Sequence, residues 1–202
     1  MKLKVVEQFM SVQGEGLLAG QGAWFIRLFG CNLNCPFCDT RYAKEGKGWE
    51  RIEVHELARA AIASKQALVV ITGGEPTQQA RGLCRLIERL QGAGLKVQVE
   101  TNGTGKLSKP ASLAHITLSP KRKGRVCKQM WRIADEVKIV VGNKVDVDWA
   151  LALVSRAGYK GAVSLQAESN SKQALKAAIK AVLESRGKLR LSVQLHKLIE
   201  VK

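Results

Sequence analysis

The chain of 202 residues is poor in acid: 17 Asp and Glu stand against 33 Lys and Arg, a formal charge of +16. It is poor in aromatic residues as well, at 5%. No apolar run approaches the ~18 residues that a membrane-spanning helix needs, and Met1-Lys2-Leu3-Lys4-Val5-Val6-Glu7 is too short and too polar for a secretory leader. These absences lead to the expectation of a cytoplasmic protein with no membrane partner. Modules that stack nucleic-acid bases interleave aromatics with their cations, and the densest basic run, Lys121-Arg122-Lys123-Gly124-Arg125, contains none. Nucleic acid is therefore not expected as a partner, although so large a positive charge favours an anionic one of some kind. The run itself fits a solvated loop or a docking surface. Repeats and low-complexity linkers are absent, so a single domain over residues 1–202 is expected. A disulfide framework is absent too: Cys31, Cys35, Cys38, Cys84 and Cys127 are odd in number, and three of them crowd into one short stretch.

What is present is an ordinary globular composition, 46% hydrophobic and 25% charged. Apolar, β-branched runs recur at Leu3 to Phe9, Ala23 to Phe29, Ala67 to Thr72, Leu95 to Val99, His115 to Leu118, Glu136 to Val141, Ala162 to Gln166 and Leu189 to Gln194. Most read as continuous rather than alternating, the pattern of parallel strands buried on both faces. Between them, helical periodicity predicts helices over Glu53 to Ser64, Gln78 to Gln91, Val147 to Arg156 and Ser171 to Ser185. On the first, Val54, Leu57, Ala58, Ala61 and Ile62 form the apolar stripe; on the last, Leu175, Ala178, Ile179, Val182 and Leu183 do. Strand and helix alternating in this way predict an α/β fold with a mostly parallel sheet, open or partly closed into a barrel, with ligands at the carboxyl ends of the strands.

Chemistry concentrates in Cys31-Asn32-Leu33-Asn34-Cys35-Pro36-Phe37-Cys38, a C-x3-C-x2-C loop just after an apolar strand. A structural zinc site needs four ligands. Cys84 lies beside Leu83 on the apolar side of a helix and reads as a small core residue, while Cys127 receives no role. Three thiolates on an iron–sulfur cluster leave one iron open to an exogenous ligand. The spacing resembles the signature of the radical S-adenosylmethionine superfamily, in which three cysteines hold a 4Fe–4S cluster whose fourth iron binds S-adenosylmethionine. By that resemblance Cys31, Cys35 and Cys38 are the cluster ligands. Val69-Val70-Ile71-Thr72-Gly73-Gly74-Glu75-Pro76 runs from a buried strand into a glycine pair, and resembles the superfamily's GGE motif at the methionyl group. By themselves two glycines after a strand make an ordinary tight connection.

The resemblance narrows with Val12-Gln13-Gly14-Glu15-Gly16, Phe25-Ile26-Arg27-Leu28-Phe29-Gly30, Cys38-Asp39-Thr40, Glu100-Thr101-Asn102-Gly103, Ser119-Pro120-Lys121, Glu136-Val137-Lys138-Ile139 and Gln194-Leu195-His196-Lys197. In order and over essentially the whole chain, these segments are similar to the 7-carboxy-7-deazaguanine synthase family. That resemblance implies an incomplete radical-SAM-type β/α barrel and a lyase reaction of queuosine and 7-deazapurine biosynthesis. The reaction contracts 6-carboxy-5,6,7,8-tetrahydropterin to 7-carboxy-7-deazaguanine and releases ammonia. It further implies a 4Fe–4S cluster, S-adenosylmethionine and Mg2+ as cofactors, a flavodoxin- or ferredoxin-type reductant and a homodimer. At this length some crossover helices should be truncated or missing.

Carried over motif by motif, the resemblance implies cofactor contacts at Phe37, Asp39, Gly74, Glu75, Asn102, Ser119, Pro120 and Lys121, and Mg2+ at Thr40. Substrate contacts fall at Val12, Gln13, Gly14, Glu15, Arg27, Thr72 and His196. A hard cation with one protein hydroxyl and a substrate carboxylate is chemically sensible. Arginine suits a planar carboxylate, and a charge set among Phe25, Ile26, Leu28 and Phe29 needs a partner. Several of these residues have plain alternatives: Asp39-Thr40 as a helix cap, Thr101-Asn102-Gly103 as a turn, Phe37 as core and His196 as an exposed or satisfied histidine. Two rival functions share features of the chain. A glycyl-radical-enzyme activase has the same cysteine spacing, and a zinc-dependent RNA-binding module has clustered cysteines with basic charge; Ser11-Val12-Gln13-Gly14-Glu15-Gly16 argues against the first and the scarcity of aromatics against the second.

Overall fold

The computed structural model describes residues 1–107 and 114–202. One nine-stranded sheet runs through it in the order β3-β1-β2-β4-β5-β6-β7-β8-β9. The strands are β1 (Lys2–Val12), β2 (Gly22–Leu28), β3 (Glu50–Glu53), β4 (Leu68–Gly73), β5 (Lys96–Thr101), β6 (His115–Leu118), β7 (Glu136–Val141), β8 (Ala162–Ala167) and β9 (Arg190–Ser192). From β2 through β4 to β9 every neighbouring pair is parallel, while β1 lies antiparallel to both β2 and β3. The sheet does not close, because β3 and β9 remain its two edges. All eight predicted runs are strands; β3 was missed because Glu50-Arg51-Ile52-Glu53 has charge at three of its four positions.

The helices are α1 (Tyr42–Glu45), α2 (Val54–Ala63), α3 (Ala80–Gly92), α4 (Lys128–Ile133), α5 (Lys144–Ala157), α6 (Lys172–Glu184) and α7 (Leu195–Leu198). A capping box starts α2: the Glu53 side chain accepts from the first turn, and Glu56 accepts the Glu53 N–H at 3.2 Å. The helix predicted from Gln78 begins two residues later as α3, preceded by a tight turn over Pro76–Gln79 in which the Glu75 side chain accepts from the Thr77 N–H. At least one crossover helix is truncated, as the length of the chain led us to expect. Only six residues make α4, and no helix lies between β5 and β6 among the described residues.

One face of the sheet packs on the helices. Val97, Val99, Ile116, Leu118, Val137, Ile139, Val163 and Leu165 form one core with Leu57 and Ala61 of α2, Leu83, Leu86, Ile87 and Leu90 of α3, and Cys84. Two predicted stripes extend beyond this core. Ile62 on α2 is 49% exposed, and on α6 only Ala174 and Ala178 are buried while Ile179 and Leu183 face outward. The opposite face corrects the expectation of continuous apolar burial. Successive residues of a strand point to opposite faces, and on β5 to β8 the second set is Gln98, Thr117, Glu136, Lys138, Ser164 and Gln166, all buried. At β2 and β4 this inner face is apolar, with Ala23, Phe25, Leu68 and Val70.

Candidate active site at the carboxyl ends of the strands

The inner face opens, at the carboxyl ends of the strands, into a cavity of about 250 Å³. The cysteine loop after β2 forms one wall, and Cys31, Cys35 and Cys38 all line it as free, partly exposed thiols. Burial pushes the Cys31 thiol up, opposed by the Leu33 N–H and reinforced by the charges of Glu75, Cys35 and Cys38. Burial likewise raises Cys35, against the opposing charges of Lys121, Lys123 and Lys44. Among the described residues no three or more His, Cys, Asp or Glu side chains are placed to hold one metal ion. The thiols share a wall rather than one ion's coordination sphere, a spread that suits a cluster offering separate irons to separate thiolates.

Two further observations fit a large polar cofactor. At Gly74 a Cβ would fall 2.3 Å from the Gly30 carbonyl oxygen and 3.0 Å from the Cys31 Cβ, so the turn can lie against the first thiol only as glycine. Gln166, 1% exposed, lines the cavity with its Nε2 unpartnered among the described residues, while its Oε1 accepts from Ser192 Oγ at 2.6 Å. A buried amide donor without an acceptor is costly, and a ligand acceptor in the cavity would satisfy it.

Glu75, expected at the cofactor, stands behind this wall. Its carboxylate accepts from Thr77 N at 3.0 Å, Thr77 Oγ1 at 2.6 Å, Thr101 Oγ1 at 2.6 Å and Asn102 N at 2.6 Å, and so ties the glycine turn to the end of β5. Asn102 does line the cavity, and its Nδ2 donates to Asn32 Oδ1 at 3.2 Å. Ser119 and Lys121 line it after β6, with Lys121 Nζ donating to the Ser119 carbonyl at 2.8 Å; Pro120 between them does not. Burial and the charge of Lys138 push the Lys121 amine below the ordinary lysine range. Phe37 and Thr40 face the cavity, the Thr40 hydroxyl 3.7 Å from Cys38 Sγ. Asp39 also reaches it, held by Gln194 Nε2 and Lys197 Nζ, each at 3.0 Å.

The predicted substrate residues meet across the same cavity: Val12, Gln13, Gly14 and Glu15 after β1, Arg27 on β2, Thr72 on β4 and His196 on α7. His196 packs so closely on Gly14 that a Cβ there would lie 2.3 Å from its Nδ1, and the Leu195 N–H donates to the Gly14 carbonyl at 2.9 Å. Arg27 Nε donates to Glu7 at 2.7 Å, and its guanidinium sits between the Phe9 and Tyr42 rings. That leaves the terminal nitrogens of its donor fork for a second carboxylate.

Sequence reasoning missed the charged centre of this wall. Lys138 on β7, 4% exposed, is ion-paired with Glu15 and, at 3.4 Å, with Glu100. Gln13 Nε2 donates to Glu100 at 3.2 Å, Thr72 Oγ1 donates to it at 3.2 Å, and Gln194 Nε2 donates to Glu15 at 3.0 Å. Burial pushes the Glu15 carboxyl up, but the charge of Lys138 and the hydrogen bonds from Lys138 and Gln194 hold it below the usual carboxylate range. Burial depresses Lys138, and Glu100 and Glu15 more than reverse that, so its amine stays charged above the ordinary lysine value. Beneath them Glu136, fully buried, accepts from Leu17 N at 2.9 Å and Thr117 Oγ1 at 2.8 Å, and contacts His115 at 3.3 Å. A signal existed: the argument that marked Arg27, a charge within an apolar strand, applies equally to Lys138 in Glu136-Val137-Lys138-Ile139-Val140-Val141.

Comparison with known proteins places this arrangement. Residues 25–121 match the model of the Radical SAM superfamily. The chain is 35% identical to the 7-carboxy-7-deazaguanine synthase of a Synechocystis species, over 98% of this chain and 93% of that one. It is 36% identical to that of Aquifex aeolicus, over 97% of this chain and 93% of the other. The crystal structure of QueE from Escherichia coli superposes with a TM-score of 0.86 at 28% identity, covering 97% of this chain and 95% of that one. With these matches extending over nearly the full length of both chains, the chain belongs to the 7-carboxy-7-deazaguanine synthase family of radical S-adenosylmethionine enzymes.

Proposed function

We propose that this chain contracts 6-carboxy-5,6,7,8-tetrahydropterin to 7-carboxy-7-deazaguanine with release of ammonia, as a lyase of deazapurine biosynthesis. One observation carries the reading: a single cavity joins three thiols on one wall to a buried, charge-compensated polar wall facing them. Held by the three cysteines, a 4Fe–4S cluster with S-adenosylmethionine would supply hydrogen-abstracting radical chemistry for the C6 position of the substrate.

The chain's own residues bind and orient. Cys31, Cys35 and Cys38 hold the cluster; Phe37, Asp39, Gly74, Asn102, Ser119 and Lys121 stand on the cofactor side, with Glu75 and Pro120 shaping the turns behind them. Arg27 clamps the substrate carboxylate, and Thr40 offers its hydroxyl to Mg2+ alongside that carboxylate. Gln13, Glu15 and Thr72 present fixed polar groups to the pterin edge, with Val12, Gly14 and His196 closing around it. Lys138 helps keep Glu15 ionised against the burial that would otherwise raise its carboxyl. The working protein is a single unit over residues 1–202, a cytoplasmic homodimer fed by a flavodoxin- or ferredoxin-type reductant.

The test is anaerobic turnover by cluster-reconstituted protein with S-adenosylmethionine, Mg2+, dithionite and the pterin, read by mass spectrometry beside Cys35→Ala. Product from the unmodified chain alone is expected. Cleavage of S-adenosylmethionine with the pterin intact would retain the radical chemistry and overturn the substrate; zinc without sulfide in the purified protein would overturn both.

A further inference from the structure

Strand β1 changes face between Val5 and Glu7. Val5 stands opposite Leu28 and packs with it in the core under the helices, and in an unbroken strand Glu7, two positions on, would point the same way. Instead the register between β1 and β2 shifts by one residue, so that Glu7 stands opposite Arg27, and it then runs on regularly through Gln8 with Ile26 and Phe9 with Phe25. Residues directly opposite one another in an antiparallel pair share a face. The irregularity therefore turns Glu7 away from the apolar core and sets it beside Arg27 on the cavity side, the re-aiming that a bulge near a site performs.

There Glu7 gathers three donors. Its Oε1 accepts from Arg27 Nε at 2.7 Å and from the Tyr42 hydroxyl at 2.9 Å, and its Oε2 is paired with Lys202 Nζ at 2.5 Å. Burial pushes the Glu7 carboxyl up, and the hydrogen bonds from Lys202, Arg27 and Tyr42 more than reverse that, so it stays ionised below the usual carboxylate range. Arg27 is thereby held at Nε by Glu7 and flanked by the Phe9 and Tyr42 rings, 5.7 Å and 5.8 Å from its guanidinium carbon. Phe9 is itself fixed by stacking on Phe25 at 5.0 Å. Arg27, Phe9 and Lys202 line the cavity, whereas Glu7 and Tyr42 do not and stand behind them. A guanidinium engaged at Nε from behind presents its terminal nitrogens forward as a fork.

Resting on the function proposed above, we propose that Glu7 is a positioning residue: it aims the Arg27 fork at the carboxylate on C6 of the bound ring, and through that aim makes the cavity select a carboxylated pterin over one with an uncharged group at the same carbon. The carboxylate sits on the carbon whose hydrogen is abstracted, so the direction of the fork sets the direction of the reacting bond. A purely electrostatic role would have the opposite sign. Replacing Glu7 by a neutral residue adds net positive charge beside the carboxylate and by charge alone would strengthen binding; loss of aim weakens it. Water and salt screen a partly exposed charge, while a bidentate contact depends on angle, so the geometric effect wins.

The test measures binding without turnover. Cluster-reconstituted protein with S-adenosylmethionine and Mg2+, and no reductant, is titrated with pterin-6-carboxylate and with 6-methylpterin in a calorimeter, for the unmodified chain, Glu7→Gln, Arg27→Met and the double variant, with urea unfolding as the check on folding. The unmodified chain is expected to prefer the carboxylate by about tenfold or more. Glu7→Gln keeps an oxygen at the same place and is expected to reduce that preference about fivefold or more, with the affinity for 6-methylpterin within about twofold of the unmodified value. In the Arg27→Met background the same change should alter neither affinity further. Tighter binding of the carboxylate by Glu7→Gln would reduce the clamp to charge alone and overturn the proposal. Equal weakening of both ligands, which marks a merely structural role, or an effect that persists without Arg27 would overturn it too, as would the absence of any preference in the unmodified chain. If the preference is present and Glu7→Gln loses it, yet anaerobic turnover of the tetrahydropterin yields no 7-carboxy-7-deazaguanine, the reaction reading falls and the positioning role stands.

Discussion

The two faces of the sheet are buried to the same depth and do opposite things. On β7, Ile139 points to the helices and is fully buried among Leu, Ile and Val; its neighbour Lys138 points inward, 4% exposed, among Glu15, Glu100 and Glu136. The helix-facing side is stabilised by area removed from water. The inward side has no such gain, because each buried charge must recover its desolvation from partners held at fixed distance. A strand with polar residues at every second position, none of them solvated, lines a cavity; the difference between the faces is the difference between what folds the chain and what the chain is for.

Removing Lys138 should break the inward face most. Lys138→Met leaves the partly buried Glu15 and Glu100 without their counter-ion, and is expected to cost about 2–4 kcal/mol in urea unfolding and about a hundredfold or more in turnover. Adding Glu15→Gln and Glu100→Gln to the same variant should return most of the stability and none of the activity. An unchanged unfolding midpoint in Lys138→Met would mean that the inward charges are solvated and the contrast between faces is wrong.

Next in size, Ile139→Ala, one residue away on the other face, should lose about 2–4 kcal/mol by leaving a cavity under the helices. Its KM for the pterin should stay within about twofold at a temperature where it remains folded, since Ile139 does not line the cavity. A smaller effect belongs to Glu136, which acts through others: it holds Leu17 N and Thr117 beneath the Val12 to Glu15 turn. Glu136→Gln keeps the shape and weakens two charge-assisted bonds. We expect about 1–2 kcal/mol of stability and a several-fold rise in KM with kcat little changed. Equal falls in kcat and kcat/KM would assign Glu136 to the chemistry instead.

The pH dependence of stability separates the faces by the mildest means. Glu15 and Glu136 are held below the ordinary carboxylate value of 4.5, so their contribution is fully present above that pH and is lost as pH falls through their lowered folded values. Lys138 is raised above its ordinary 10.5, so its contribution is present below that pH and is lost as pH rises through the folded value. Chemical unfolding should therefore show a plateau between these limits. Glu136→Gln should flatten the acid limb, and Ile139→Ala should lower the whole curve without changing its shape.

Local patterns marked the strands, the cysteine loop and the glycine turn, because each depends on neighbours in sequence: β-branched runs, C-x3-C-x2-C spacing, two glycines at a strand end. Arg27 was legible for the same reason, a charge among Phe25, Ile26, Leu28 and Phe29. Lys138 and Glu136 were passed over because the strand around them read as one apolar run, and the partners that make them sensible lie far away in sequence, Glu15 before β2 and Glu100 on β5. The role of Glu75 was displaced for a related reason: its motif names the residue, but only the fold turns its carboxylate toward Thr77, Thr101 and Asn102 rather than into the cavity.

By itself the sequence determined the parallel α/β architecture, the three thiols and their family, since side-chain period and ligand spacing are properties of a short stretch of chain. The tertiary structure decided what sits opposite them. Parallel register sets Glu100 beside Thr117 and Thr117 beside Glu136, Lys138 follows Glu136 two positions along the same face, and the last helix folds His196 back onto Gly14. Those pairings cost loop-closure entropy that only the whole core repays. The polar wall exists where the assembled sheet forces distant charges to share one dry space.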